Sequence, residues 1–121
     1  LGLAGKEGSL CHARSTADLL NRIRPRYLSA LTLMLGPHED SYREQMGTPF
    51  TFNTAIDNVR ELREMIACLE TDECIFRSNN ASNYVPLKGT LLVDKYRLIA
   101  GIDRALELPE AFFRSEWMRG L

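Results

Sequence analysis

The sequence predicts an α/β fold in which parallel strands are joined by helical crossovers. Apolar segments with helical spacing alternate with short, β-favouring apolar segments along the 121 residues, and such alternation is typical of parallel sheets with right-handed connections. The chain opens with LGLAG, a pattern typical of a strand that ends in a glycine turn. Three strands alone would leave open edges and a half-covered sheet. We therefore expect the C-terminal portion of a partial (β/α) barrel of TIM type, cut from a longer chain.

Composition and charge describe an ordinary globular domain. Hydrophobic residues make up 45% of the chain and charged residues 26%, which is enough for one core and one domain. The net charge of −1 shows no excess of basic residues of the kind that binds nucleic acid or an anionic membrane. No apolar run approaches the ~20 residues of a membrane span. We expect a single fragment over 1–121, with barrel repeats over about 1–106 and a C-terminal helix over 107–121.

The cysteines and histidines give no metal or disulfide pattern. Cys11, Cys68 and Cys74 are odd in number and include no CxxC pair, so we expect small, buried hydrophobic residues in a reducing cytoplasm. His12 and His38 lie too far apart in the sequence for a recognisable Cys/His zinc spacing. We therefore expect no metal ligands in this chain.

The first half of the chain predicts a helix, a strand and a helical turn. The helix spans 10–23 with Ser9 as its N-cap, and Pro25 ends it because the residue before a proline is disfavoured in helical conformation. The segment 27–35 is apolar without alternation, which is typical of a strand covered on both faces. A short helical turn over Glu39–Met46 follows. The break after this turn falls at Gly47, Thr48 and Pro49.

The second half predicts a strand between two helices, and a final helix. The clearest helical stripe spans 54–70, with Asn53 as its N-cap. A strand over 73–76 and a helix over 93–106 follow, and an aromatic-rich helix over 110–118 packs onto the body. The charged face of the 54–70 helix is expected to be solvated and to have no function. It carries Arg60, Glu61, Arg63 and Glu64.

A dense polar segment follows the strand over 73–76. Ligands of α/β proteins bind outside the carboxyl ends of the strands, so we expect this segment to face a ligand. A guanidinium is a planar fork for carboxylate or phosphate, amides donate and accept hydrogen bonds, and a tyrosine adds a ring and a hydroxyl. Together they suit a polar, anionic small molecule. The candidate substrate-binding residues are Arg77, Asn79, Asn80, Ser82, Asn83, Tyr84 and Lys88.

Alternative interpretations of this segment stay open. An Asn- and Ser-rich turn also stabilises its own backbone, and Lys88 is equally well explained as a solvated loop lysine. No catalytic residue is assigned, because neither Ser15 nor Thr32 has a base partner that the sequence places beside it.

Most of the chain resembles one known family. The stretches LGLAG, TADLLN, YLSALTLMLGP, ELREMIACLE and CIFRSNNASNYVPLKGTL, followed by DKYRLI, are similar to the C-terminal half of radical S-adenosylmethionine (radical SAM) proteins. The group concerned is related to the oxygen-independent coproporphyrinogen oxidases and the elongator-type Fe–S oxidoreductases. The likeness covers about 1–106, and FRSNNASNYVPLKG is its most specific part.

The resemblance implies a partial barrel that holds a 4Fe–4S cluster and S-adenosylmethionine at the C-terminal ends of its strands. Reductive cleavage of S-adenosylmethionine would give a 5′-deoxyadenosyl radical. The family pattern G-x-I-x-G-x-x-E assigns cofactor binding to Gly5 and Glu7, although Leu1 and Gly8 occupy its first and last places. At the end of the next strand, the resemblance implies that the adenine contacts Leu33, Met34 and Leu35.

Two departures from the family pattern limit what this chain can do alone. The three cluster cysteines of the family have the spacing C-x3-C-x2-C, and the cysteines of this chain do not. Asn80 also stands where relatives often have a histidine. We therefore expect the cluster to come from the N-terminal half of the same barrel, and this fragment alone to be inactive.

The sequence thus predicts part of a radical SAM enzyme that acts on a small-molecule substrate. Its S-adenosylmethionine- and substrate-facing loops lie in this chain, its partner is the N-terminal half of the barrel, and neither nucleic acid nor membrane is involved. The alternative is a non-catalytic α/β domain that binds a small metabolite, or a partner through an exposed edge. A thiol-redox protein lacks support because the chain has no CxxC pair.

Overall fold

A small mixed sheet forms the centre of the fold. The structure, a computed structural model, describes residues 1–47 and 49–120. Strands β1 (Tyr27–Ser29), β2 (Ile75–Arg77) and β3 (Lys88–Thr90) lie in the order β1-β2-β3. β1 and β2 are parallel, with Tyr27 opposite Ile75, whereas β3 runs antiparallel to β2. Thr48 in the predicted break and Leu121 at the end of the predicted C-terminal helix lie outside the described residues.

The start of the chain lies beside the segment that follows β1. The terminal nitrogen of Leu1 donates to the carbonyl oxygen of Leu31 at 2.6 Å, and the backbone nitrogen of Leu33 donates to the carbonyl oxygen of Leu1 at 2.9 Å. Leu1 therefore bonds to the two residues on either side of Thr32, which is the hydrogen-bond pattern of a parallel strand pair. The chain start thus bonds in the parallel manner to the segment after β1, although it forms no assigned strand.

Four α-helices accompany the sheet within the described residues. They are α1 (Gly5–Ile23), α2 (Glu39–Met46), α3 (Ala55–Cys68) and α4 (Lys95–Glu107). α1 begins five residues earlier than predicted and ends at the predicted place, where Arg24 takes a left-handed conformation with φ of 50°.

The N-cap of α3 is Thr54, where the sequence predicted Asn53. The side chain of Thr54 accepts a hydrogen bond from the backbone nitrogen of Asp57, and the side chain of Asp57 accepts one from the backbone nitrogen of Thr54. This reciprocal pair is a capping box, which satisfies two backbone donors at the start of the helix. Asn53 is thereby left available for contacts outside the cap.

The core lies between the sheet and the helices α1, α3 and α4. The small residues Ala13 and Ala17 of α1 are each 1% exposed, which brings α1 close to α3. The larger fully buried apolar side chains come from α3, α4 and the segments around β2 and β3. They are Leu62, Ile66, Leu69, Phe76, Leu91, Leu98 and Ile102.

Three predictions about the elements need correction. β1 is shorter than predicted and is not covered on both faces, since Tyr27 is 72% exposed. β3 was not predicted, and it makes the sheet mixed. The helix predicted over 110–118 is two short 3₁₀ turns, Glu110–Phe112 and Glu116–Met118. Between them, Arg114 donates to the carbonyl oxygens of the polar loop, so tertiary hydrogen bonds override helix formation there.

The described residues therefore form a mixed α/β fold with a three-stranded sheet. The completion of a barrel stays a prediction. In the part of the chain that the structure describes, no helix is both long enough and apolar enough to cross a membrane.

Candidate functional site

A cavity of about 370 Å³ lies at the carboxyl ends of the parallel segments. One wall of the cavity is formed by Gly2 and by the segment from Leu33 to Gly36. Gly2 follows Leu1, which is hydrogen-bonded to this segment, and the segment itself follows β1. The residues Leu33, Met34 and Leu35, predicted to contact a cofactor, are half-buried and all line this cavity. This is the edge at which α/β proteins bind their ligands.

The second wall comes from α2 and from the residues before and within α3. Glu39 begins α2, Phe52 and Asn53 precede α3, and Asn58 lies in its first turns. The ring of Phe52 is held edge-to-face by Phe50, with centroids 5.1 Å apart. This wall combines an aromatic face with two amides and a carboxylate.

The third wall is closed by the C-terminal segment. Arg119 Nη1 donates to the Tyr84 hydroxyl oxygen at 2.5 Å and to Glu116 Oε2 at 2.6 Å, and its guanidinium carbon lies 4.2 Å from the Tyr84 ring centroid. Arg119 Nε also donates to the carbonyl oxygen of Ser82 at 2.8 Å. The guanidinium is therefore occupied by contacts within the chain.

Tyr84 is a buried hydrogen-bonding group at the cavity. It is 8% exposed, and its hydroxyl donates to Glu116 Oε1 at 2.6 Å. Burial, reinforced by this hydrogen bond, raises the pKa of Tyr84 to about 12. At neutral pH the group is a neutral phenol and not a phenolate base.

Behind the second wall lies Glu61, which the sequence placed on a solvated face. The structure contradicts that prediction, because Glu61 is 1% exposed. Its Oε2 accepts hydrogen bonds from the Gly2 backbone nitrogen at 3.0 Å, the Ser9 hydroxyl at 2.8 Å and Asn53 Nδ2 at 2.9 Å. Its Oε1 is 2.9 Å from His12 Nδ1. Glu61 thus ties the chain start, α1 and the cavity wall to α3.

The centre of the polar loop holds the fold together. Asn83 is 1% exposed; its Oδ1 accepts from the Thr32 hydroxyl at 2.8 Å, and its Nδ2 donates to the Ala30 carbonyl oxygen at 2.7 Å. Ser82 is fully buried, and its backbone nitrogen donates to Asn80 Oδ1 at 2.9 Å. These contacts agree with the alternative interpretation, a turn that stabilises its own backbone.

The other candidates from this loop lie away from the cavity. Arg77 and Lys88 are exposed register partners on β2 and β3, and Arg77 Nη1 donates to the carbonyl oxygen of Phe76 at 2.8 Å. Asn79 is exposed as well. Of the seven candidate substrate-binding residues, Tyr84 lines the cavity.

Gly5 and Glu7 act on the cavity only through its supporting loop. Gly5 is buried with φ of +65°, and a Cβ there would lie 2.7 Å from both the Phe50 ring and the Thr51 carbonyl oxygen. Glu7 Oε2 accepts from the Thr51 backbone nitrogen at 3.0 Å. Backbone hydrogen bonds, from its own amide and from Thr51, lower the pKa of Glu7. Both residues position the segment that carries Phe52.

The residues present do not fit an iron–sulfur cluster. Over 1–47 and 49–120, no group of three or more His, Cys, Asp or Glu side chains could hold a metal ion. Cys11 is exposed on α1, Cys68 ends α3, and Cys74 is buried before β2, where burial raises the pKa of its thiol. A cluster would need ligands from elsewhere.

Comparisons with protein-family models, curated proteins and solved structures find no match to this chain. The functional argument therefore depends on the geometry of the cavity and on the motifs of the sequence.

Signals for the missed residues are weak but present in the sequence. Asn58, Glu61 and Met65 recur at spacings of three and four, so they share one face of α3. All three are buried. The C-terminal pair Glu116 and Arg119 has the same spacing of three, but nothing in the sequence says that it folds back over Tyr84.

Proposed function

We propose that this chain supplies part of the S-adenosylmethionine-binding wall of a radical SAM enzyme. The observation that carries the proposal is the cavity of about 370 Å³ at the carboxyl ends of the parallel segments. Its volume is in the range of small-molecule sites. It brings together the segment that the resemblance assigns to adenine and Tyr84 of the most specific motif.

The chain's own residues would bind and orient the cofactor. Leu33, Met34 and Leu35 offer apolar surface and backbone groups to a flat base, and Phe52 adds a ring face. The radical chemistry would be supplied by S-adenosylmethionine and a 4Fe–4S cluster that this chain does not ligate. The cluster ligands would come from the N-terminal half of the barrel, and the exposed Arg77, Asn79 and Lys88 would face substrate or that half.

A second candidate function is a domain that binds a metabolite without iron. One observation favours it: the polar loop uses Ser82 and Asn83 to stabilise the fold. Both candidates predict ligand binding by this chain alone, but the second predicts no cysteine triplet in the reading frame upstream of Leu1. A C-x3-C-x2-C motif encoded there in frame would favour the radical enzyme instead.

The test is calorimetric titration of the 121-residue chain with S-adenosylmethionine and with S-adenosylhomocysteine. Met34→Trp places a large ring in the cavity and is expected to lower the affinity more than about tenfold, because overpacking removes the space for the ligand. Met46→Trp is the matched control, since Met46 is exposed on α2 and does not line the cavity. Absence of binding, or equal binding by both variants, would overturn the proposal.

A further inference from the structure

The charges around the cavity do not balance. Arg119 is the one guanidinium in its wall, and Glu116 at 2.6 Å neutralises it. Arg43 does not line the cavity; its Cζ lies 5.2 Å from the Phe52 centroid, and its Nη1 lies 3.9 Å from Asp40 Oδ1. Glu39 also lines the cavity, and it forms an ion pair with no cation among the described residues.

A second carboxylate, that of Glu61, lies behind the wall. Its oxygens are already paired with His12, Ser9 and the Gly2 nitrogen, and the terminal amine of Leu1 is close to it, so it adds no unbalanced charge to the cavity. Glu61 Oε2 lies 2.9 Å from Asn53 Nδ2, directly behind the cavity wall.

The basic residues expected to receive an anion, Arg77 and Lys88, are exposed on the β2–β3 ribbon and do not line the cavity. An anionic ligand would therefore meet the exposed, unpaired carboxylate of Glu39 and, among the described residues that line the cavity, no unpaired cation.

Two amides in the same wall, on the half-buried Asn53 and the buried Asn58, have unused hydrogen-bonding groups. Asn58 is 4% exposed; its Oδ1 accepts from Asn53 Nδ2 at 3.2 Å, while its Nδ2 donates to no described residue. The Oδ1 atom of Asn53 is buried without a described partner. A buried polar atom without a partner costs stability unless something satisfies it, so Asn53 Oδ1 points to a ligand, and Asn58 Nδ2 is a donor that a ligand in the cavity can use.

We propose that the cavity selects its ligand by charge. It takes a small organic cation, such as a sulfonium or an ammonium compound, whose positive charge lies opposite Glu39. The amide of Asn58 donates a hydrogen bond to an uncharged acceptor on the same ligand. This bond fixes the orientation of the ligand and does not depend on the charge of the ligand. The inference rests on the proposed function only in that S-adenosylmethionine is then the natural cation to test.

The experiment compares two ligands that differ by one methyl group and one positive charge. S-adenosylmethionine is a sulfonium cation, and S-adenosylhomocysteine is its neutral thioether. Calorimetry at low salt is expected to show a preference for the cation of about two- to fivefold, the range of an ion pair near the surface. Molar salt is expected to remove the preference, because the screening length falls to about 3 Å.

Two variants separate charge from orientation. Glu39→Gln is expected to abolish the preference by weakening the cation alone, whereas Glu44→Gln, on the same helix outside the cavity, leaves it unchanged. Asn58→Ala is expected to weaken both ligands equally, by about two- to tenfold, the value of one hydrogen bond. Thermal unfolding of each variant checks that it is folded.

The outcomes distinguish this inference from the proposed function. Equal affinity of the unchanged chain for both ligands, or a preference that survives in Glu39→Gln, overturns selection by charge and leaves the cavity as an adenosyl site. Failure of both ligands to bind overturns both proposals. An Asn58→Ala variant that binds both ligands normally overturns the role of its amide.

Discussion

The hydroxyl of Thr32 donates to Oδ1 of Asn83 at 2.8 Å, and both side chains are buried. The other end of the same amide donates to the carbonyl oxygen of Ala30. One side chain from the loop after β2 therefore holds the segment after β1 in place. That segment runs into the cavity wall, so the polar loop shapes the site from behind.

Asn83→Ala is expected to lower the free energy of unfolding by about 1–3 kcal/mol, because the buried Thr32 hydroxyl and Ala30 carbonyl lose their partner. Asn79→Ala is the control, since Asn79 is exposed in the same loop. Urea unfolding followed by circular dichroism measures both. Equal stability of the two variants would show that the amide contributes nothing.

Glu61→Gln is expected to lower the free energy of unfolding by about 2–3 kcal/mol, because an amide cannot accept hydrogen bonds from all the donors that contact this carboxylate. Glu64→Gln is the control, three residues further along α3. It removes an exposed ion pair with Arg14 and is expected to change the free energy of unfolding little. Thermal unfolding distinguishes them. A solvated Glu61, as the charge pattern suggested, would make the two variants alike.

Gly5→Ala is expected to be the more damaging of two glycine substitutions. Gly5 and Gly36 both have positive φ, +65° and +53°, so each substitution adds backbone strain of about 1 kcal/mol. A Cβ at Gly5 also meets Phe50 and Thr51 at 2.7 Å, whereas one at Gly36 meets nothing within 4 Å. Similar unfolding midpoints for the two variants would contradict this packing.

Alkaline pH is expected to destabilise the fold through Tyr84. Because burial raises its pKa from 10.0 to about 12, the folded state keeps a proton that the unfolded state loses, and this contribution to stability is lost as pH rises through that window. Ultraviolet titration of the phenols checks it. Tyr84→Phe should remove the most alkaline component, and Tyr96→Phe, at an 83% exposed position, should leave it.

Local patterns predict most of the helices of this chain. The stripes of α3 and α4 and the stop at Pro25 all give elements near their observed places. Helical spacing and proline geometry act within a few residues, so the sequence displays them directly. The parallel pairing of β1 with β2 also follows from the order of the elements.

Long-range contacts decide what the sequence did not predict. The position of Glu61 in the helical pattern is that of a solvated charge. In the structure it is buried and accepts hydrogen bonds from the Gly2 nitrogen and the Ser9 hydroxyl, which lie 59 and 52 residues earlier in the sequence. The 110–118 segment has helix-forming residues, yet hydrogen bonds from Arg114 and Arg119 to the loop hold it in short turns. No local pattern encodes such partners, and the loop amides therefore looked like ligand groups.

Amide chemical-shift mapping during titration of the 121-residue chain with S-adenosylhomocysteine tests the central claim most directly. The account predicts saturable shifts at Gly2, at Leu33 through Gly36, and at Asn58 and Tyr84, with Arg77 and Lys88 unaffected. Shifts confined to the Arg77 and Lys88 ribbon, or no shifts at all, would contradict the assignment of this cavity as the ligand site.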